Sequence, residues 1–245
     1  MLELKSYAAV SDQGPYLQIN EDSVESDLVN GLFMIIDGFG GANIGDRAVA
    51  QLKEDVKRFY INIGGDPDST MPHFYSPRYL IEGNAVINAL HFAHQNLKKQ
   101  NSPKSMNERA GASIMIAALA DNLLTLVNVG NCRGLLFRGG ELREVIAPDN
   151  MEYLSGDFFE KQFHTAPFSA IGLYDDFSMT VKELRVQEDD SLIMLTDGAY
   201  SRLSDSELKQ ILNKPSRGSQ KIHDIFNMVN SRGNLDNQSA TILDF

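Results

Sequence analysis

The sequence predicts an α+β fold in which antiparallel strands carry amphipathic helices. Short apolar segments joined by tight turns are typical of antiparallel sheets rather than of alternating β-α-β units. Two longer stretches repeat apolar side chains at the spacing of a surface helix. With 245 residues, 42% of them hydrophobic, the chain is long enough for one domain with a sizeable core. We therefore predict a single domain over residues 1–245.

Three strands are predicted before residue 41. Residues 4–11 and 23–28 have strand character, and Asn30-Gly31 is a hairpin signal that leads into the apolar run 32–36. This run stops at Asp37-Gly38. A buried strand would hold the Asp37 carboxylate stiffly, and the glycines after it would let a ligand come close. The alternative is that Asp-Gly is simply a turn signal.

Two amphipathic helices are predicted next, separated by an irregular loop at 62–77. His91 and His94 share a face of the second helix, but no third ligand follows at zinc-site spacing, so we interpret them as ordinary helix histidines. The apolar faces of the two helices consist of Ala48, Leu52, Val56 and Phe59, and of Val86, Leu90, Ala93 and Leu97.

The second half of the chain is predicted to be mostly strand. Segments 111–119, 123–129, 134–137 and 142–146 favour one antiparallel meander, followed by a short flap at 148–163. Strands are predicted at 181–186 and 191–196. Ser204 and Glu207 form a capping-box pattern that opens a helix ending near Asn213. A last helix, with Ile222, Ile225, Phe226 and Val229 on its apolar face, leads to a terminal strand at 239–243.

Composition excludes several classes of function. The net charge of -11 and the pI near 4.9 argue against nonspecific nucleic-acid binding and against anionic membranes. The one cysteine, Cys132, allows no intramolecular disulfide and favours a reducing compartment. No apolar run approaches membrane-spanning length, and the N-terminus lacks the pattern of a signal peptide. We expect a cytoplasmic monomer.

Acidic residues recur at four places that predict a metal site. Asp197-Gly198 follows the apolar strand 191–196, as Asp37-Gly38 follows its own strand. Asp236 precedes the terminal strand, and Glu21-Asp22 lies upstream of the opening hairpin. Carboxylate, carbonyl and water oxygens are the ligands that Mg²⁺ and Mn²⁺ prefer. The pattern therefore predicts two such ions that share a bridging carboxylate.

Six short motifs follow one another along the chain: Asn20-Glu21-Asp22, Asp37-Gly38-Phe39-Gly40-Gly41, Gly111-Ala112-Ser113, Asn128-Val129-Gly130-Asn131-Cys132-Arg133, Thr196-Asp197-Gly198 and Asp236-Asn237-Gln238-Ser239-Ala240. Together they resemble the motifs of the metal-dependent PP2C-type (PPM) serine/threonine protein phosphatases, and most of all those of the bacterial branch. The resemblance implies a four-layer αββα sandwich, in which two antiparallel sheets pack face to face between pairs of helices.

The resemblance also implies a role for each site residue. Asp37 would bridge the two ions, Asp197 and Asp236 would complete one of them, and the Gly38 carbonyl and Glu21 would serve the other. Asp22 and Asn237 would orient metal-bound water. A hydroxide that bridges the ions would attack the phosphorus of a phosphorylated protein substrate directly. No protein nucleophile is needed, so we interpret Cys132 as a small buried hydrophobe.

Three positions depart from the family pattern. Leu17 replaces an arginine that binds the substrate phosphate, and we hypothesise that Arg47 or Arg109 substitutes for it. Asn131 replaces an aspartate that helps to hold a third metal, so a third ion is expected to bind weakly. Phe39 stands where many eukaryotic members have a histidine that protonates the leaving group.

Two alternatives to a phosphatase remain open at this point. A weak or inactive PPM-like domain would bind phosphoproteins as a regulatory module. A two-metal nuclease is the other alternative, and the acidic balance of the chain counts against it.

Overall fold

Ten strands form two five-stranded antiparallel sheets in the computed structural model, which describes residues 3–40, 44–65, 71–151 and 165–245. The strands are β1 (Ser6–Asp12), β2 (Asp22–Asp27), β3 (Leu32–Gly40), β4 (Ala110–Ala120), β5 (Leu123–Val129), β6 (Arg133–Arg138), β7 (Glu141–Ile146), β8 (Thr180–Arg185), β9 (Ser191–Leu195) and β10 (Gln238–Asp244). The first sheet has the order β1-β10-β9-β6-β7, and the second has the order β2-β3-β4-β5-β8.

The helices of the described residues lie on the outer faces of the sheets. Two long helices pack on the second sheet, and the C-terminal helices pack on the first. A 3₁₀ turn at Met106–Glu108 precedes β4. The helices are α1 (Gly45–Gly65), α2 (Ile81–Asn101), α3 (Asp197–Tyr200), α4 (Asp205–Leu212) and α5 (Gly218–Ser231).

Alternation along β3 shows how the layers are built. Leu32, Met34 and Ile36 point into a core with α1 and α2, whereas Phe33 and Ile35 point into a second core between the two sheets. A third core joins the first sheet to α4 and α5. Because the side chains of a strand alternate between its faces, a strand that is apolar throughout is buried on both sides. The predicted four-layer αββα sandwich is confirmed.

The predicted meander of four strands is wrong. β4 and β5 are neighbours in the second sheet, but β6 and β7 belong to the first sheet. The chain crosses between the sheets at Gly130, whose φ of 91° is in the left-handed region that favours glycine. The sequence therefore predicts the turns between these strands correctly, but the turn at Gly130 connects strands of different sheets.

Two predicted boundaries also change. β3 continues through Asp37 to Gly40, and α1 continues to Gly65, so the irregular loop does not begin at residue 62. Residues 66–70 of that loop, and residues 152–163 of the predicted flap, lie outside the described residues. The capping box at Ser204 and Glu207 is confirmed at the start of α4, as are the apolar faces of the long helices.

No helix in the described part of the chain is both long and apolar enough to cross a membrane.

Candidate metal centre

Two neighbouring strands place Asp22 and Asp37 opposite each other. The residues are partners in the β2–β3 ladder, and both side chains lie on the face that packs against the first sheet. Like charges directly opposite on one face of a sheet repel each other. Such a pair at the edge of the inter-sheet core is the first indication of a cation site.

The first sheet supplies Asp197 from the other side. Thr196 follows the end of β9 and precedes Asp197, and it donates a hydrogen bond across the sheets to Asp22 Oδ2 at 2.9 Å. Asp197 Oδ1 accepts from the Gly198 N–H at 2.8 Å, and Oδ2 accepts from Asn131 Nδ2 at 3.0 Å. The acids of the two sheets therefore face a common space.

Both Asp-Gly pairs are points of close approach and not tight turns. Neither Gly38 nor Gly198 adopts the left-handed backbone that such turns require. A Cβ on Gly198 would lie 2.9 Å from the Asn237 carbonyl carbon and 3.3 Å from Asp236 Cβ. A Cβ on Gly38 would lie 2.7 Å from the Glu21 carbonyl oxygen. The two glycines thus let the Asp236 and Glu21 segments pack beside Asp197 and Asp37.

Glu21 is held by hydrogen bonds at both of its ends. Its carboxylate accepts from the Gly45 N–H at 2.7 Å, and its own N–H donates to Asn237 Oδ1 at 2.8 Å. Asn237 Nδ2 donates to the carbonyls of Gln13 and Ile19 at 2.8 and 3.0 Å. Asn237 therefore stabilises the loop that carries Glu21. The role of Asn237 in orienting water stays a prediction.

Raised pKa values distinguish the cluster of Glu21, Asp22, Asp37, Asp197 and Asp236. Burial raises the pKa of Asp37 well above its usual value, and the charges of Asp197, Asp22 and Asp236 raise it further. Burial also raises the pKa of Asp22, Asp197, Asp236 and Glu21. Within the described residues, no lysine, arginine or histidine forms an ion pair with any of these five acids. Uncompensated carboxylates of this kind are chemically suited to a bound cation.

The donor set fits hard divalent ions, although it is not preassembled around one point. Within the described ranges, no group of three His, Cys, Asp or Glu side chains is arranged to hold a metal ion. Asp22, Asp197 and Glu21 are instead each held by separate hydrogen bonds, and ions of this type commonly complete their coordination with water. Asn131 Oδ1 is buried beside Asp197 and accepts no hydrogen bond from any residue that the structure describes, so it is a further oxygen donor.

The residues that depart from the family pattern are placed as follows. Leu17 is 39% exposed, and no guanidinium stands in its place. Arg109 Nε donates a hydrogen bond to the Lys104 carbonyl at 3.1 Å. Arg47 is exposed in the first turn of α1, two residues after the Gly45 that binds Glu21. Phe39 packs against Gly111. Of the two hypothesised phosphate ligands, Arg47 is the better placed.

Cys132 is fully buried between the sheets, as predicted. Burial raises the pKa of its thiol well above the usual value, and the neighbouring charges of Asp37, Asp22 and Asp197 raise it further. A thiol is a nucleophile as the thiolate, so this environment makes Cys132 inert.

The histidines of α2 are also structural. His94 Nδ1 accepts a hydrogen bond from the Gly172 N–H at 3.1 Å. The ring of His91 packs against Phe177 in a tilted arrangement, with 4.9 Å between ring centroids.

Sequence reasoning missed two features of the site. The first is the hydrogen bond from Thr196 to Asp22, which links the two sheets. The second is a cleft of about 460 Å³ beside the acids. No local signal marks either feature, because both depend on how distant segments pack. The residues that line the cleft include Asp197, Asp236, Arg202, Arg232 and Leu235.

The chain resembles known bacterial phosphatases over almost its full length, although no family model matches it. The serine/threonine protein phosphatase PstP of Mycobacterium tuberculosis is 25% identical over 97% of this chain, which spans 44% of the length of PstP. The protein phosphatase PhpP of Streptococcus pneumoniae is 23% identical, over 96% of this chain and 95% of PhpP.

Solved structures show the same fold. PppA, a key regulatory component of T6SS in Pseudomonas aeruginosa, matches with a TM-score of 0.81 at 20% identity, over 98% of this chain and 96% of PppA. The catalytic domain of PstP, in complex with two manganese ions, matches with a TM-score of 0.77 at 23% identity, over 98% of this chain and 97% of that domain. The resemblance to the bacterial PPM phosphatases is therefore confirmed, in sequence by the curated serine/threonine protein phosphatases and in fold by the solved structures.

Proposed function

We propose that this protein is a metal-dependent serine/threonine phosphoprotein phosphatase. The observation that carries the proposal is a group of four acids, the buried Asp22 and Asp197 with the more exposed Asp37 and Asp236, which has no cationic partner among the described side chains. Keeping several like charges together is costly for a folded protein unless a ligand compensates them. Divalent metal ions supply that compensation.

The proposed ligands come from both sheets. Asp37 would be shared by two Mg²⁺ or Mn²⁺ ions, with Asp197 and Asp236 on one and with Glu21 and the Gly38 carbonyl on the other. Bound ions of this kind lower the pKa of water and neutralise phosphoryl oxygens, which is the chemistry that hydrolysis of a phosphomonoester needs. Asn131 would give a third ion only a neutral oxygen, so that ion would bind weakly.

The other residues of the site position these ligands. Thr196 fixes the Asp22 carboxylate through its hydroxyl, which holds that acid facing the space between the sheets. Asn237 fixes the loop of Glu21. The buried Cys132 takes no part, since its raised pKa keeps it protonated. Water is therefore the nucleophile in the proposed reaction.

The test is hydrolysis of para-nitrophenyl phosphate and of a phosphothreonine peptide in Mn²⁺, with EDTA and Asp37→Asn as controls. Turnover that both controls abolish is the expected result. Calorimetric titration with Mn²⁺ accompanies the assay. Turnover that persists in EDTA would exclude the proposed mechanism.

A phosphoprotein-binding module without turnover is the second candidate, and Leu17 is the observation that favours it. An exposed leucine in place of the phosphate-binding arginine removes the main contact to the substrate phosphate. Intact Mn²⁺ binding without hydrolysis of either substrate would support this candidate over the first.

A further inference from the structure

The cleft beside the acids contains two arginines with different partners. Arg232 is neutralised by Glu207 in a two-point ion pair, with Nη2–Oε1 and Nη1–Oε2 distances of 2.5 and 2.9 Å. This pair lowers the pKa of Glu207 to about 2, helped by hydrogen bonds from Ser204 at the start of α4. The positive charge of Arg232 is therefore compensated by Glu207 within the fold.

Arg202 is not neutralised in the same way. It is half-buried in the cleft, and its Nη1 donates to the Arg232 carbonyl at 3.1 Å. In the part of the chain that the structure describes, no carboxylate forms an ion pair with it, and this includes Asp197 and Asp236 in the same cleft. A guanidinium has five N–H donors in a planar fork that fits a carboxylate or a phosphate. Most of these donors remain available to a ligand.

The position of Arg202 relates it to the proposed substrate. The cleft of about 460 Å³ joins Arg202 to two proposed metal ligands, and this volume suits one or two side chains of a bound peptide. A phosphorylated residue held at the acids would place its sequence neighbours in the rest of the cleft. The protein carries a net charge of -11, so an unpaired cation here counteracts general repulsion of acidic substrates.

We propose that Arg202 is a specificity-determining residue that binds an anionic side chain next to the phosphorylated residue of the substrate. The inference rests on the proposed function, because the cleft is a peptide site only if the acids hold the phosphorylated residue. The anion is a carboxylate or a second phosphate, and both offer the oxygens that a guanidinium binds in pairs.

The experiment measures binding, so that it does not depend on turnover. Peptides contain a non-hydrolysable phosphonate analogue of phosphothreonine, flanked on both sides by alanine, aspartate, phosphoserine or lysine. Dissociation constants for the full chain in Mn²⁺ are measured by fluorescence anisotropy. Wild type is expected to bind the aspartate or the phosphoserine peptide about tenfold more tightly than the alanine peptide, a usual contribution for a charged hydrogen bond.

The variants test whether Arg202 is the cause. Arg202→Ala is expected to remove the tenfold preference, and Arg202→Glu to shift the preference to the lysine peptide. Arg143→Ala is the matched control, since it makes the same change of charge at an exposed position of β7 outside the cleft. It is expected to keep the wild-type ratio.

Three results would overturn the inference. One is a wild type that does not prefer either acidic peptide. Another is an Arg202→Ala variant that keeps the preference. The third is a variant that loses the alanine peptide as strongly as the acidic ones, because Arg202 would then bind the phosphothreonine phosphate itself. Failure of the proposed function is a separate result, since it shows as absent turnover in Mn²⁺ while these binding ratios stay measurable.

Discussion

Asp37→Asn is expected to stabilise the metal-free protein and to abolish its stabilisation by metal. The change keeps the shape of the side chain and removes one charge from the cluster. The folded-state pKa of Asp37 lies above its unfolded value, first because of burial and then because of Asp197, Asp22 and Asp236. The folded protein therefore binds more protons than the unfolded chain, and its stability falls as pH rises through the window between the two pKa values.

The magnitude follows from the register of β2 and β3. Partners on one face of an antiparallel ladder have their Cβ atoms about 5 Å apart. At that separation and at an effective dielectric constant of about 20, two like charges repel by about 3 kcal/mol. Allowing for screening and for partial protonation of Asp22, whose pKa is raised to about 8, Asp37→Asn is expected to gain about 1 to 3 kcal/mol at pH 8. For a protein of this size that corresponds to an increase of about 3 to 10 °C in the unfolding temperature.

The assay is thermal unfolding of both proteins in EDTA at pH 8 and near pH 4.5, and again at pH 8 in Mn²⁺. The difference in EDTA should be smaller at the lower pH, because the raised pKa of Asp37 in the folded wild type favours its protonated, uncharged form there. Mn²⁺ at a hundred times its Kd should stabilise wild type by about 2.7 kcal/mol and the variant far less.

Asp121→Asn is the control for this assay, because Asp121 is an exposed turn residue with φ of 55°, a conformation that asparagine tolerates. It should change the unfolding free energy by less than about 0.5 kcal/mol. A lower unfolding temperature for Asp37→Asn in EDTA at pH 8 would refute the reasoning, because the carboxylate would then be stabilising the fold.

Three further predictions concern other residues of the site. Gly198→Ala should weaken Mn²⁺ binding by about 10- to 100-fold in calorimetry, because the new Cβ displaces the segment at Asn237. The control Gly139→Ala, in an open hairpin with φ of 57°, should cost only about 1 to 2 kcal/mol of stability. Equal Mn²⁺ affinities in the two variants would contradict the predicted effect of Gly198→Ala. Asn131→Asp should lower the unfolding temperature in EDTA, since it replaces an amide donor with a charge, and should lower the Mn²⁺ concentration for half-maximal turnover; an unchanged unfolding temperature would argue against its contact with Asp197. Arg47→Ala should raise KM for para-nitrophenyl phosphate by about tenfold with little change in kcat, if it binds the substrate phosphate in place of the missing arginine, and an unchanged KM would place that contact elsewhere.

Local features of the fold were predictable from the sequence because they depend on neighbouring residues. The apolar face of α1 and the capping box at Ser204 and Glu207 follow from residues three or four positions apart. The assignment of β6 and β7 to a sheet depends instead on long-range packing. A tight turn has the same sequence signal whether it joins neighbours in one sheet or crosses between two sheets, as Gly130 does.

The same distinction between local and long-range features applies to the candidate site. The identities of the acids were predictable, since each precedes or follows a recognisable strand. Their partners were not predictable, because the hydrogen bond from Thr196 to Asp22 and the hydrogen bonds of Asn237 to the loop of Glu21 link residues more than 170 positions apart. Arg202 gives no sequence signal at all, since its cleft forms only after α3 and the segment before β10 have packed together.

The division of the acids between the sheets has a consequence for the proposed metal centre. Asp22 and Asp37 lie in strands of the second sheet and Glu21 precedes β2, whereas Asp197 follows β9 and Asp236 precedes β10 of the first sheet. An ion shared by Asp37 and Asp197 would therefore join the sheets above the core between them, where Thr196 already makes one cross-sheet hydrogen bond. Since a ligand that binds only the folded state stabilises it, metal binding and sheet packing are thermodynamically linked. Substitutions in the inter-sheet core are then expected to weaken metal binding without touching any ligand.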